Sequence, residues 1–365
     1  MALSVTVPVR VTVVAVSSWI AGAQALSNIT RSRPNTMIRF IKYTSCLINS
    51  LYQNSRPLTR SAVGVWLLNF HDVLSDIKFW HAIILFAVNL LLISEFNNRN
   101  ALNRQHNRKI CCVYIAIMTA CPNLLTDVRA MLVQTCILIA LTKLFQTYQR
   151  RDDMIHRYAA YLFLGIGIAA WPPLLLFVPL FWIGEAAYLM SFSIKAWGAS
   201  MLGLLTPIWF ILPVLMYLSK LHLIVDWTKN AVPNKEVIQS AFSNIGMSSN
   251  GNTNMAYIVF IFVILIISIA KYIQLSYNDK IHVRMLHHFL IFIAIPTAVS
   301  LAVMYLLPLS TTQGLNCIIA ILVAVISPAA TQYITLTTSR TSSITTIILL
   351  IISIILTIGG IKYGI

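Results

Sequence analysis

Charge is what this chain has least of. Asp, Glu, Lys and Arg together make up 10% of its 365 residues, against 58% hydrophobic residues and a mean hydropathy of +0.79. An ordinary soluble domain carries about 25% charged residues. That excludes a soluble globule and leaves an all-α integral membrane protein whose first partner is the lipid bilayer. Acids are the scarcer sign, 10 Asp and Glu against 26 Lys and Arg. A basic excess can mark a nucleic-acid binder, but no basic face here is interleaved with aromatics. The cations sit instead in short loops between apolar runs, where membrane orientation accounts for them.

Cysteine carries equally little. Cys111, Cys112, Cys121, Cys136 and Cys317 fall in apolar spans, where a thiol behaves as a small hydrophobe, and Cys46 stands alone in a polar segment. No zinc spacing and no disulfide framework is present. The chain also lacks a Walker loop, a nucleophile elbow, an HExxH pair and iron–sulfur spacing, so no cofactor is implied. Gly165, Gly167 and Ala170 match a loose G-x-G-x-x-A fingerprint, yet they lie in an apolar helix instead of after a strand. There small residues serve close helix packing.

What is present is a long uncharged stretch with a break in it. The chain carries no charge between Arg157 and Glu185, and Trp171, Pro172 and Pro173 interrupt it near the middle. A continuous helix over residues 158–190 would be about 50 Å long, against a hydrocarbon core of ~30 Å. Neither proline has the amide proton a helix needs, and each restricts the residue before it. The stretch therefore predicts two short helices, 158–170 and 174–190, folded into a hairpin with Arg157 and Lys195 on one side of the membrane.

About nine full spans are expected around this hairpin. Residues 11–26 are apolar and end in small residues, so they read either as a first span or as a cleaved signal. An uncleaved span is favoured, and Met37 offers an alternative start. Residues 1–60 form an N-terminal segment, 61–220 the membrane core, 221–254 an external loop and 255–365 a four-span bundle. Within the core, 79–94, 110–125, 130–148 and 196–219 are spans. After the loop come 255–272, two spans within the uncharged run 285–339, and 344–361. Pro207, Pro213, Pro296 and Pro328 predict kinks. The basic residues of 95–109 and 150–157 predict that both loops are cytoplasmic. An inward start for 11–26 would then leave the basic segment 31–60 outside, so either another crossing lies between 44 and 70 or the first span runs the other way.

Five residues are candidates for chemistry. Asp72 and Asp76, four apart on a short amphipathic segment (61–76), share one helix face. They form either a solvated face or an acid pair, with His71 and His81 near in sequence, that acts as a general base or holds a metal-phosphate. Lys78 and Arg129 are candidates for binding a phosphate, Arg129 alternatively pairing locally with Asp127. Glu185, an acid in the hairpin, is functional if it lies at membrane depth and ordinary if it lies at the interface. The adjacent His287 and His288 point about 100° apart on a helix and cannot close a metal site alone.

Several blocks also carry a resemblance: Asn97-Asn98-Arg99-Asn100, Cys121-Pro122, Leu141-Thr142-Lys143-Leu144-Phe145, residues 165–177 and Gly203 to Pro207. Over residues 61–220 the chain resembles a family of multi-spanning inner-membrane proteins of Gram-negative gut and gliding bacteria. The resemblance implies a multi-pass protein of the bacterial cytoplasmic membrane and no particular reaction. Three roles stay open. One is a polyprenyl-phosphate-dependent glycosyltransferase-like enzyme of envelope assembly acting on a lipid-linked substrate. Another is a transporter or flippase, and the third a structural or assembly subunit.

The orientation is directly measurable. Single cysteines placed in 95–109 and in 150–157 of a cysteine-free variant should resist an impermeant maleimide added to intact spheroplasts. Labelling of either loop from outside refutes the assignment.

Overall fold

The computed structural model describes residues 77–100, 102, 109–121, 124–125, 127–218, 252–275, 280–306, 312–336 and 347–357. The apolar run 11–26, the amphipathic segment carrying Asp72 and Asp76, and the loop 221–251 lie outside the described residues. Every regular element within them is helical. The order is α1 (Ile77–Asn100), α2 (Lys109–Thr119), α3 (Val128–Phe145), α4 (Met154–Ala170), a 3₁₀ turn (Pro172–Phe177), α5 (Val178–Gly184) and a π-turn (Glu185–Leu189). Then follow α6 (Ile194–Tyr217), α7 (Asn252–Leu275), α8 (Ile281–Leu306), α9 (Thr312–Leu336) and α10 (Ile347–Thr357).

Seven helical stretches among the described residues are long and apolar enough to cross a membrane, one of them Pro172–Leu189. Helices α2, α4 and α10 are shorter. The chain is thus a helical membrane bundle. The expected span 110–125 is realised as the 11 residues of α2, about 16 Å of helix and half a hydrocarbon core.

Helix α9 is the axis of the bundle. Its window is 94% buried, and it packs against α2, α3, α7 and α8. In lipid an apolar side chain gains little by turning inward, so association rests on close packing and on hydrogen bonds between helices. Here the bonds are supplied by a buried polar group on α3. Gln134 donates to the Ala320 carbonyl of α9 at 3.1 Å and accepts from the Tyr114 hydroxyl of α2 at 2.8 Å. Asn89 of α1 donates to the Met131 carbonyl and accepts from Thr135 at 2.8 Å. Four helices are joined through one buried cluster.

The kink-forming prolines do not interrupt their helices: α6 runs through Pro207 and Pro213, α8 through Pro296 and α9 through Pro328. Beside three of them a hydroxyl bonds back to a carbonyl of the preceding turn. These are Thr206 to Leu202, Thr297 to Ile293 and Ser327 to Val323, each at 2.6 Å. Such back-bonding occupies carbonyls next to the ones that proline leaves free.

Helix α6 lies at the rim, held chiefly by α4, and turns Trp209, Phe210 and Tyr217 outward. Small residues make the α4–α6 contact. A Cβ on Gly203 would stand 2.6 Å from the Tyr158 carbonyl oxygen, and one on Gly165 3.0 Å from the Leu204 carbonyl. Gly198, one turn earlier on α6, faces open space. The fingerprint at Gly165 and Gly167 is therefore a packing seam.

That contrast yields a paired prediction. Gly203→Ala should destabilise the protein by about 1–3 kcal/mol, because backbone must move. Gly198→Ala should be neutral or stabilising by up to ~1 kcal/mol through helix propensity. Unfolding of the purified variants in mixed micelles reads both, and equal effects would refute the seam.

Candidate functional site

The hairpin begins at a cap. Asp153 accepts from the His156 amide at 3.3 Å and from His156 Nδ1 at 2.9 Å, which starts α4 and sets Arg157 in its first turns. Trp171 ends α4 in an extended conformation (φ −141°, ψ 96°), as the following proline requires, while its amide still donates to the Gly167 carbonyl at 2.9 Å. Pro172 and Pro173 then occupy the start of the 3₁₀ turn, where a missing amide proton costs least. Gly167 faces Cys136, midway along α3. For legs running alongside α3, the tip at Trp171 stops roughly 7 Å short of the α3 N-cap, Asp127. Leu174 and Phe177 of the turn face the protein, while Leu175 and Leu176 face outward.

The second leg returns through α5 into the π-turn and stops at Met190, which has left-handed geometry (φ 50°). A non-glycine residue in this region costs of order 1 kcal/mol and marks an over-determined site. Gln149 has the same geometry (φ 58°), and its amide donates to the Leu189 carbonyl at 3.0 Å. The end of the returning leg is thereby stitched to the loop that precedes the first.

Between the two legs lies a buried ion pair. Arg157 and Glu185 are each 1% exposed. Arg157 Nε contacts Glu185 Oε1, and Arg157 Nη2 donates to the Ser191 carbonyl at 2.7 Å. Glu185 also accepts from the Tyr161 hydroxyl at 3.1 Å and from Ser191 Oγ at 3.3 Å. Arg157 Nη1 is buried with no hydrogen-bond partner. Tyr161 lies one turn beyond Arg157 on the same face of α4, and the Trp182 ring leans on it, anchored in turn to Ser200 of α6 at 3.2 Å. On the other flank Gly184 lets Phe289 of α8 against the backbone, and Tyr188 stacks on His288.

The contact of Arg157 with Ser191 returns both ends of the hairpin to one level, the geometry expected from its length. Glu185 is buried with a named partner. Arg129 lies elsewhere: its amide donates to Asp127, which caps α3 and accepts from Asn316 of α9 at 3.2 Å. Helices α1 and α3 run parallel, since Asn89 meets Met131 and Phe96 meets Phe145. Lys78, in the first turn of α1, is therefore at the same end as Arg129, roughly 24 Å of helix from the Glu185 end. Asp72 and Asp76 lie outside the described residues. No cluster of three or more potential metal ligands occurs among the described residues. His288 is engaged with Tyr272 at 3.0 Å and the Arg284 carbonyl at 2.6 Å, and His287 approaches the Leu102 carbonyl at 3.3 Å. A small apolar cleft between α2, α7, α9 and α10 offers no charged group.

Arg157, Tyr161 and Ser191 escaped the sequence reading as site residues. Arg157 closes a run of loop charges and reads as one of them. The signal that relocates it is Asp153, an N-cap residue that starts the helix before the arginine.

The cap titrates outside the apolar legs. Partial burial pushes the Asp153 carboxyl up, but the hydrogen bonds and charge of His156, with Arg150 behind them, bring it below its ordinary value. Its stabilisation is complete above the ordinary Asp pKa of about 3.9 and is lost as pH falls through the lower folded value. Asp153→Asn should keep the cap and flatten the part of the acid unfolding curve below about pH 4. Superimposable parent and variant curves would refute this.

Compared with known protein families, with curated proteins and with solved structures, the chain matches none, so its function has to be argued from this geometry.

Proposed function

We propose that the protein is a carrier of the bacterial cytoplasmic membrane, moving a small solute past the Arg157–Glu185 pair, with the broken hairpin as the element that opens. The buried pair carries the reading. An ionised pair between the legs of a proline-broken hairpin is a costly way to hold two helices, and apolar residues of similar volume do that as well or better. Charges in such positions are kept for the ions or solutes they meet. Discontinuous helices lining a central site are the usual framework of secondary carriers.

The energetics support a gate. Leaving one member of a buried pair alone costs about 3–5 kcal/mol. At 1.4 kcal/mol per factor of ten, an empty site stays closed by roughly 10²–10⁴ to one, and opening requires something that replaces the lost partner. The break at Trp171 supplies a hinge. The transferase reading turns on Asp72 and Asp76 and draws no support from the hairpin.

The double variant Arg157→Met with Glu185→Met separates a carrier from a staple, because it removes both charges together and should fold. In proteoliposomes, the parent should take up at least one radiolabelled member of a panel of carboxylates, phosphate, amino acids, sugars and alkali cations. The double variant should lose that uptake by tenfold or more. A folded parent that takes up nothing on the panel, or a double variant with full uptake, overturns the proposal.

A further inference from the structure

Arg157 presents an unusual inventory for a residue that is 1% exposed. Its guanidinium has three nitrogen positions, of which Nε meets Glu185 and Nη2 meets the Ser191 carbonyl. Nη1 carries two N–H donors, is buried and has no partner. Buried donors of a charged group are seldom left without an acceptor. The same guanidinium holds the second leg to the first, so this unpaired edge lies at their contact.

Resting on the carrier reading, we infer that the solute is a small carboxylate, which takes the Nη1 edge of Arg157. The fork of an arginine matches a planar two-oxygen anion, whereas a lysine ammonium is a point charge without that preference. Two further donors stand ready, for the Tyr161 hydroxyl and Ser191 Oγ both reach Glu185 and can turn to an arriving carboxylate.

Charge balance sets how the site loads. Arginine and glutamate together are neutral, and a second carboxylate would leave a buried net negative charge. The solute therefore enters as Glu185 takes up a proton and releases the guanidinium. One proton accompanies one carboxylate, and no other charge needs to move. Facing Glu185 are Arg157 and Tyr161 of α4, with Ser191 following on its own leg. Helix α8, packed on the same π-turn, brings His288 against Tyr188, and α6 brings the neutral Ser200 and Trp197 against Trp182.

Titration of the parent in nanodiscs with sodium acetate and sodium formate tests this, with sodium chloride at matched ionic strength as reference and tryptophan emission as the signal, since Trp182 lies against Tyr161. Acetate and formate should give a saturable change that chloride does not, stronger in mildly acidic than in neutral buffer. Glu185→Gln removes the competing charge, so it should tighten acetate binding tenfold or more and abolish the pH dependence. Arg157→Lys should weaken binding tenfold or more; should it fail to fold, the parent and Glu185→Gln titrations decide alone. No saturable change with acetate or formate in the parent overturns the inference and leaves a water as the partner of Nη1. A response to inorganic phosphate alone overturns the carboxylate class, and unchanged acetate affinity in Glu185→Gln overturns the exchange. Uptake of a sugar or cation without acetate binding would remove this inference and keep the carrier. Acetate binding with no uptake of any solute would do the reverse.

Discussion

Backbone polarity in lipid is the constraint on which this structure turns. A helix that ends between apolar legs leaves carbonyls in need of partners, and Trp171-Pro172-Pro173 ends one there. Everything near the break answers to that requirement. The 3₁₀ turn begins with residues that have no proton to lose. Gly167 lets the tip lie against α3, and the two legs return to a common level where the Gln149 amide donates to Leu189 and the Ser191 carbonyl accepts from Arg157. The ion pair is a consequence of the fold-back, because only a hairpin brings Arg157 beside a residue 28 positions later.

Much of this was legible in the residues. Length alone forbade a straight helix, the prolines located the break, and the small residues of α4 were read as packing positions. The arrangement of the bundle was not legible, and the reason is physical. In water an apolar stripe shows which face of a helix is buried. In a bilayer the lipid is as apolar as the core, so α9, the most buried helix, and α6, the least, look alike as apolar runs. Only the polar residues separate them. Helix α9 carries Ser327, Thr331 and Gln332 buried in its C-terminal half, while α6 turns Trp209 and Phe210 outward. Gln134 and Asn89 mark the inside of α3 and α1 in the same way.

The site was half legible for a related reason. Glu185 stood out as an acid in an apolar stretch, but its depth depended on where the second leg ended, and the π-turn that swings it inward has no signature in the sequence. Arg157 was hidden by its neighbours: after Arg150, Arg151, Asp152 and Asp153 it reads as one more loop charge. Asp153 as an N-cap converts the run into two parts, a loop before the cap and a helix after it. Four residues past the cap, an arginine faces inward. Lys78 and Arg129 fell at the opposite end for a simpler reason, since α1 and α3 begin together there.

The pair and the break limit each other. A hairpin held only by apolar contacts would have little reason to remain registered in lipid, where sliding a helix exchanges one apolar neighbour for another. An ion pair without the hairpin would have no buried place to form. Held together, they give the bundle one position at which registry depends on charge, and so on any proton or anion that reaches it. The left-handed Met190 and Gln149 lie beside that position, and the unmatched donor edge of Arg157, Nη1, lies within it. Strain, unmatched polarity and buried charge thus coincide where the two legs meet. A purely architectural staple requires none of the three, which is why the legs of this hairpin, instead of its tip, are the place to look for what the protein handles.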